Sequence, residues 1–145
     1  MSYVDSVLQP GETVRYRGDI HWKVYVPGLL VLVVGLLCFS LGPFGAVLGV
    51  IVVIAAACLL AWAWLQRATT EIAVTNRRII YKRGFIERRT IEMNMDKVES
   101  VDVNQSVLGR LLDYGDIIVR GTGASLEPFR GIGAPLDFRN HVTAG

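Results

Sequence analysis

The pattern of hydrophobic and polar positions divides the chain into three parts. A run of 43 residues, from Val24 to Gln66, contains no Asp, Glu, Lys or Arg, and Gly42-Pro43 interrupts it near its middle. A helix needs roughly 20 apolar residues to cross a hydrocarbon core about 30 Å thick. The run is therefore too long for one membrane span, and it predicts an α-helical transmembrane hairpin with spans over residues 24–41 and 44–65.

The residues that flank this run predict its orientation. Basic residues lie on both sides of it, whereas its middle, Leu41 to Phe44, carries no charge. Basic residues next to a span favour the cytoplasmic side, so both ends of the chain are expected there. Charged and aromatic side chains at the two ends of the run are expected at the membrane interface. They are Trp22, Lys23, Tyr25, Trp62, Trp64 and Arg67.

Small residues recur within both predicted spans, at Gly28 and Gly35 in the first and at Gly45 and Gly49 in the second. Such residues allow helix backbones to approach closely. The contact can join the two arms of one hairpin, which the sequence favours, or two copies of the chain. No ionisable residue lies inside either span, which argues against a proton or ion pathway.

The residues outside the run alternate between apolar and polar positions, which indicates a small antiparallel sheet domain. Expected strands are 13–17, 71–75, 78–82, 85–92, 98–105, 116–121 and 126–129, and a terminal helix is expected over 135–141. A short helix or turn over 106–112 is expected to carry Val107, Leu108, Leu111 and Leu112 into the core. The predicted organisation is an N-terminal cytoplasmic segment (1–23), the hairpin (24–65) and a cytoplasmic domain (66–145).

Several motifs, taken in order, resemble those of bacterial membrane-anchored PH-like domain proteins with two transmembrane helices followed by one domain. They are Leu8-Gln9-Pro10-Gly11-Glu12, Val74-Thr75-Asn76-Arg77-Arg78, Gly84-Phe85 and the segment from Ser106 to Tyr114-Gly115. The resemblance covers nearly the whole chain. It implies a mainly β PH-like fold, in which two antiparallel sheets form a small barrel with a C-terminal helix over one opening, and a location in the bacterial inner membrane. Because such folds host many ligands, the resemblance supports the architecture more than an activity.

Charge in the C-terminal domain is polarised. Residues 67–89 contain seven basic and two acidic side chains, whereas residues 90–145 contain five basic and eight acidic ones. The first part is the one nearest the predicted membrane, where anionic headgroups attract bases. The candidate lipid-binding or partner-binding residues are Arg77, Arg78, Lys82, Arg83, Arg88 and Arg89.

Two functions follow from these features. The first is a non-catalytic scaffold that acts through protein interaction or self-assembly, with another membrane protein or a second copy as partner. The alternative is a module that binds anionic lipid or a phosphorylated ligand through the bases of residues 77–89. Solvated charges that protect strand edges and fix topology would explain the same bases without any ligand.

Catalysis, metal binding and nucleic-acid binding find little support in the sequence. His21 and His141 are the only histidines, and neither lies in a recognisable catalytic motif. Cys38 and Cys58 both lie inside the predicted spans and have no metal-ligand spacing. The net charge of +2 is small for a nucleic-acid-binding protein. The protein is therefore expected to be no enzyme and to use no cofactor or metal.

Overall fold

The computed structural model describes residues 3–86, 88–122, 124–125 and 128–144. These residues form two compact units. The helical unit is Trp22–Ala68, and the β unit comprises the described residues before and after it. The sequence division treated the N-terminal segment and the C-terminal domain as separate, whereas both contribute to the β unit. The segment predicted over residues 13–17 supplies one of its strands.

Two helices make up most of the helical unit. A 3-10 turn, Trp22–Tyr25, precedes α2 (Val26–Cys38), and a second one, Phe39–Leu41, leads to α3 (Gly42–Thr69). Pro27 lies in the first turn of α2, where a missing amide donor is tolerated. Gly42 has a φ of +80°, a backbone conformation that a side chain would disfavour, at the point where the chain changes direction.

The two helices lie against each other in opposite directions. A Cβ placed on Gly28 would approach Leu60 Cδ2 to 2.7 Å, and one on Gly35 would approach Val53 Cγ2 to 2.9 Å. By length and composition, the helical stretch Trp22–Thr69 could cross a membrane, and only 17% of its most apolar window is buried within the protein. The core helix of a soluble protein would be mostly buried, whereas most of this window is exposed.

The first sheet of the β unit contains four antiparallel strands in sequence order. They are β1 (Val14–Gly18), β2 (Glu71–Thr75), β3 (Arg78–Arg83) and β4 (Arg89–Asn94). In the register of this sheet, Gly18 of β1 lies opposite Ile72 of β2. The whole helical unit is therefore an insertion between two hydrogen-bonded neighbouring strands.

The second sheet is built around its longest strand, β6. Its members are β5 (Val98–Asn104), β6 (Tyr114–Gly121), β7 (Ala124–Ser125) and β8 (Phe129–Gly133), and all the others pair with β6. A short helix, α4 (Val107–Leu111), connects β5 to β6, and α5 (Pro135–Thr143) follows β8. The strand predicted over 126–129 falls partly outside the described residues, and β8 begins only at Phe129.

The main core lies between the two sheets, and α5 packs against it. Ile79 from the first sheet, Ile117 and Phe129 from the second and Phe138 from α5 are all fully buried. The Phe129 ring lies 4.3 Å from the Tyr81 ring and 6.4 Å from the Phe138 ring. Burial of these large side chains supplies about 1.5–3 kcal/mol each, so α5 is an integral part of the β unit.

A second, smaller core lies on the outer face of the first sheet. The short helix α1 (Tyr3–Val7) places Val4, which is 2% exposed, against Ala73 and Ile80. The carboxylate of Glu71 accepts hydrogen bonds from the amides of Tyr3 and Val4, each at 3.2 Å. A negative charge at a helix N-terminus is stabilising, so the N-terminal residues are held to the sheet by packing and by capping.

Candidate binding surfaces

A buried ion pair joins the segment before β1 to the start of β3. Glu12 has a fully buried side chain, and the Arg78 side chain is 11% exposed. Arg78 Nε donates to Glu12 Oε1 and Arg78 Nη2 donates to Glu12 Oε2, both at 3.0 Å. This bidentate geometry, with two parallel hydrogen bonds, is a strong form of the Arg–carboxylate pair.

Hydrogen bonds extend this pair into what we call the Glu12–Arg78 network. The Thr75 hydroxyl donates to Glu12 Oε1 at 2.7 Å, and the Gln9 amide donates to Glu12 Oε2 at 2.8 Å. Arg78 also donates to the Val7 carbonyl at 2.7 Å and to Glu92 Oε2 at 2.6 Å. A buried carboxylate and a buried guanidinium are tolerated only when their hydrogen-bonding groups are satisfied, which this network achieves.

Asn76 ties the same two segments together at the surface. Its side-chain oxygen accepts from the Thr13 amide at 3.0 Å, and its backbone amide donates to the Thr13 carbonyl at 3.0 Å. The Leu8–Glu12 and Val74–Arg78 motifs, separated by the helical unit in sequence, therefore form one structural element. The sequence does not predict their contact, because nothing local in either motif shows its partner.

The electrostatics of the network favour the charged pair. Burial alone raises the pKa of Glu12, but hydrogen bonds from Arg78, the Gln9 amide and Thr75, together with the Arg78 charge, lower it to about 2. The hydrogen bond to Glu12 raises the pKa of Arg78 above its ordinary value, against the effect of burial. Arg78 is thus a structural residue, and it lies outside any exposed basic surface.

The remaining candidate bases lie at opposite ends of β3. Arg77 is exposed in the turn between β2 and β3, one residue before β3 begins. Lys82, near the other end of that strand, lies 3.6 Å from Glu71 Oε1 and 4.9 Å from the centre of the Tyr3 ring. Because Lys82 also contacts α1, the predicted single cluster of six bases divides into separate groups.

The turn between β3 and β4 combines basic and apolar exposed residues, and we call its described residues, 83–86 with 88 and 89, the β3–β4 tip. Arg83 lies opposite Arg89 in the register, and Arg88 is exposed beside them. Phe85 is 67% exposed and Ile86 is 90% exposed. The predicted strand over 85–92 begins instead at Arg89, because Gly84 has a φ of +105° and turns the chain away from the sheet. Glu87, within that predicted strand, lies outside the described residues.

The apolar residues of α4 are exposed, which corrects the expectation that they fill the core. Val107 is 86% exposed and Leu111 is 79% exposed, while Leu108 is 62% and Leu112 40% exposed. Gly109 is the residue that packs inward, since a Cβ there would lie 2.7 Å from the Tyr114 carbonyl oxygen. Ser106 caps the helix by accepting from the Gly109 amide at 3.0 Å.

The predicted interface residues lie at the two ends of the helical unit. Trp22 and Lys23 are in its first turn, where Tyr25 ends the 3-10 segment, and Trp62 and Trp64 are near the end of α3. All three tryptophans are exposed, as is Arg67 in the last turn. Exposed indole rings at the ends of an apolar helix are typical of residues at a membrane–water boundary.

The four predicted packing glycines are all buried inside the helical unit. Gly28 and Gly35 face α3 across the contacts described above. A Cβ on Gly49 would lie 3.0 Å from the Gly35 carbonyl oxygen, and one on Gly45 would lie 2.3 Å from the Cys38 carbonyl oxygen. The glycine surface is occupied within one chain, which leaves little of it for contact with a second copy.

The histidines take part in ring contacts. The His21 ring lies 5.2 Å from the Tyr114 ring, and the His141 ring lies 4.9 Å from the Tyr16 ring. Burial, with the nearby charges of Asp137, Asp19 and Asp113, raises the pKa of Tyr16. Among the described residues, no group of three or more His, Cys, Asp or Glu side chains could hold a metal ion.

Comparison with known proteins identifies one family. A family model, the bacterial PH domain, matches residues 28–144. The two antiparallel sheets of the β unit and its C-terminal helix are consistent with a PH-like β domain. The comparisons with curated proteins and with solved structures returned no match.

Proposed function

Because the chain belongs to the bacterial PH domain family, we propose that it is a non-catalytic binding module anchored in the bacterial inner membrane. PH domains are generally non-catalytic binding modules. In this proposal α2 and α3 cross the bilayer as a two-pass hairpin, and the β unit lies on the cytoplasmic side, where it acts through protein interaction or self-assembly.

One observation carries the anchoring. The helical unit is inserted between β1 and β2, whose residues Gly18 and Ile72 are direct neighbours in the sheet. Both ends of the helical unit are therefore connected to neighbouring strands of the same sheet, and so must lie on the same side of a membrane. An even number of membrane crossings satisfies this constraint, and the length of the apolar run allows two. Basic residues on both flanks favour the cytoplasmic side.

Interaction with another protein is supported by the open edges of the sheets. In the described strand pairing, β4 and β5 each end a sheet. An uncovered edge strand offers backbone donors and acceptors to another chain. Since the glycines of the helical unit are used internally, the β unit is the better candidate for the surface that binds a partner.

The topology is tested by thiol labelling of the full chain in which Ala replaces Cys38 and Cys58. A membrane-impermeant maleimide should reach Arg77→Cys only from the cytoplasmic side, and Ser40→Cys never from that side. Labelling of both positions from one side would contradict the two-pass hairpin.

The interaction is tested by the mass of the full-length particle extracted in native nanodiscs. We expect more than one protein chain per particle. Ser100→Lys, on edge strand β5, should shift the particle towards a single chain, whereas Thr143→Lys, on the exposed face of α5, should leave it unchanged. A single unpartnered chain in the unmodified protein, across conditions, would contradict the proposed interaction.

A further inference from the structure

The exposed apolar side chains of the β unit are concentrated in a few places. Among its described residues, the large exposed hydrophobics are Phe85 and Ile86 in the β3–β4 tip, four residues of the α4 segment, and Leu136. The backbone two residues before Leu136 is close to the end of the α4 segment, because the Ala134 amide donates to the carbonyl of Asp113, which follows Leu112, at 3.0 Å. Contiguous apolar patches on a soluble surface mark a site of interaction with a protein or a membrane.

The β3–β4 tip lies at the same ends of the strands of the first sheet as the end of β1 and the start of β2, between which the helical unit is inserted. Glu71, the first residue of β2, lies opposite Lys82, and Arg83 then lies opposite Arg89. Gly18, the last residue of β1, is opposite Ile72 at these same strand ends. The tip is therefore at the strand ends where β1 stops, before the helical unit, and where β2 starts, after it.

The α4 segment lies close to the last residue before the helical unit. Tyr114, which follows α4 and begins β6, places its ring 5.2 Å from the ring of His21. The His21 amide donates to the Gly131 carbonyl at 2.8 Å, so this residue is fixed to the second sheet. Both apolar segments thus lie near residues of the β unit that precede or follow Trp22–Ala68 in the chain: the tip near Gly18 and Glu71, and the α4 segment near His21.

Charge distinguishes the kind of partner that suits this surface. Arg83, Arg88 and Arg89 are exposed around Phe85 and Ile86, and α4 carries the exposed Arg110 between its leucines. With Glu87 counted, residues 83–89 have a net charge of +2. Apolar side chains with bases beside them, as in the tip, are typical of segments that lie in the interface of an anionic bilayer, because anionic headgroups attract basic side chains.

We propose that the β3–β4 tip and α4 form a second membrane contact, on an anionic bilayer surface. Phe85, Ile86 and the leucines of α4 enter the boundary between headgroups and acyl chains, and the tip arginines bind lipid phosphates. This inference rests on the proposed membrane anchoring and names the lipid as a ligand of the β unit.

The test uses the full chain, with Cys38 and Cys58 replaced by Ala, in nanodiscs that each hold one copy. An environment-sensitive fluorophore is attached at Ile86→Cys or Leu111→Cys, and quenching by lipids with a spin label in the upper acyl chain is measured. Arg77→Cys, at the opposite end of β3, is the matched exposed control. We expect quenching at both test positions and none at the control in discs that contain phosphatidylglycerol.

The charge requirement is tested by a triple variant, Arg83→Gln with Arg88→Gln and Arg89→Gln. It should lose most of the quenching at Ile86→Cys, as should replacement of phosphatidylglycerol by phosphatidylcholine. The control variant removes the same charge from exposed positions elsewhere and should retain the quenching. Its substitutions are Arg15→Gln, Arg130→Gln and Arg139→Gln.

Each outcome decides between alternatives. Equal quenching in both lipids and in the triple variant would overturn the anionic-lipid contact. A probe at Ile86→Cys that is shielded only when two copies share a disc, without lipid quenching, would indicate a chain–chain contact and also overturn it. A probe at Leu48→Cys in α3 separates this inference from the anchoring: if Leu48→Cys is quenched and Ile86→Cys is not, only the second contact fails.

Discussion

Glu12 and Arg78 are 66 residues apart in sequence and are joined by two parallel hydrogen bonds of 3.0 Å. The pair holds the segment before β1 against the start of β3, on the outer face of the first sheet. Arg78, which the sequence predicted as a possible lipid ligand, therefore binds Glu12 within the fold. The exposed bases lie instead beside exposed apolar residues in the β3–β4 tip, and the sequence pattern had predicted those apolar residues to be part of a strand.

Breaking this pair should destabilise the β unit strongly. Glu12→Ala and Arg78→Ala should each lower its free energy of unfolding by about 3 kcal/mol, because each leaves a buried charge without its partner. The loss of unfolding free energy in the double variant should be smaller than the sum of the losses in the two single variants, by about 2 kcal/mol. Native-state hydrogen exchange at the Ile79 amide in the full chain measures these free energies.

A matched cycle uses the exposed pair Asp102–Arg120, whose N–O distance is 2.9 Å and whose side chains are 44% and 59% exposed. Its coupling should stay below about 1 kcal/mol, since solvent screens it. Equal coupling in the two pairs would contradict the importance of burial for the Glu12–Arg78 network.

Acid should unfold the β unit through Glu12. Folding lowers the pKa of this carboxyl to about 2 from its ordinary value of 4.5. A carboxyl whose pKa is lowered by folding contributes stability that is complete above its unfolded pKa and lost as the pH falls towards its folded pKa. Melting temperatures of the β unit, followed by near-ultraviolet circular dichroism, should therefore fall between about pH 5 and pH 2.

Glu12→Gln tests the assignment, because an amide does not titrate in this range. The variant should be less stable at neutral pH, and its stability should change less on acidification than that of the unmodified chain. Asp102→Asn, which removes an exposed carboxylate, should keep the normal acid response. An unchanged acid response in Glu12→Gln would show that another group controls it.

The packing of the helical unit is tested at Gly35. Gly35→Ala places a Cβ 2.9 Å from Val53 Cγ2 and 3.1 Å from the Val53 backbone nitrogen. In an exposed helix, Gly to Ala stabilises by about 1 kcal/mol, but overpacking here should destabilise by about 1–3 kcal/mol. Thermal unfolding in detergent micelles, followed by far-ultraviolet circular dichroism, shows whether Gly35→Ala raises or lowers the stability of the helical unit.

Ala55→Val adds bulk to an exposed position of α3 and serves as the control for that experiment. It should leave the melting temperature nearly unchanged. A stabilising Gly35→Ala would indicate that α2 and α3 do not pack closely at this position.

Local patterns explain which parts of the fold were predictable. The strand Glu71–Thr75 matches its prediction residue for residue, because it lies between the end of a long apolar run and a turn containing Asn76. The small residues of the helical unit stand out in the sequence by their spacing alone, at Gly28 and Gly35 in α2 and at Gly45 and Gly49 in α3.

The rest depends on contacts between distant residues. Pattern alone shows that Val107 and Leu111 share a helix face, but it does not show whether protein covers that face. Arg77 directly precedes the six-residue strand β3 and Arg83 is its last residue, so these two bases lie at opposite ends of the strand and do not form a single cluster. The role of Glu12 required the pairing of β1 with β2 across the whole helical unit.

The position of the helical unit between β1 and β2 also orders events during synthesis. β1 is made before the helical unit and β2, its neighbour in the first sheet, only afterwards, so β1 cannot join that sheet until the chain has returned. Under the proposed topology, a chain that crossed the membrane once would leave the two strands on opposite sides of it. The β unit can then complete its first sheet only after both crossings succeed, and correct folding on the cytoplasmic side reports correct membrane integration.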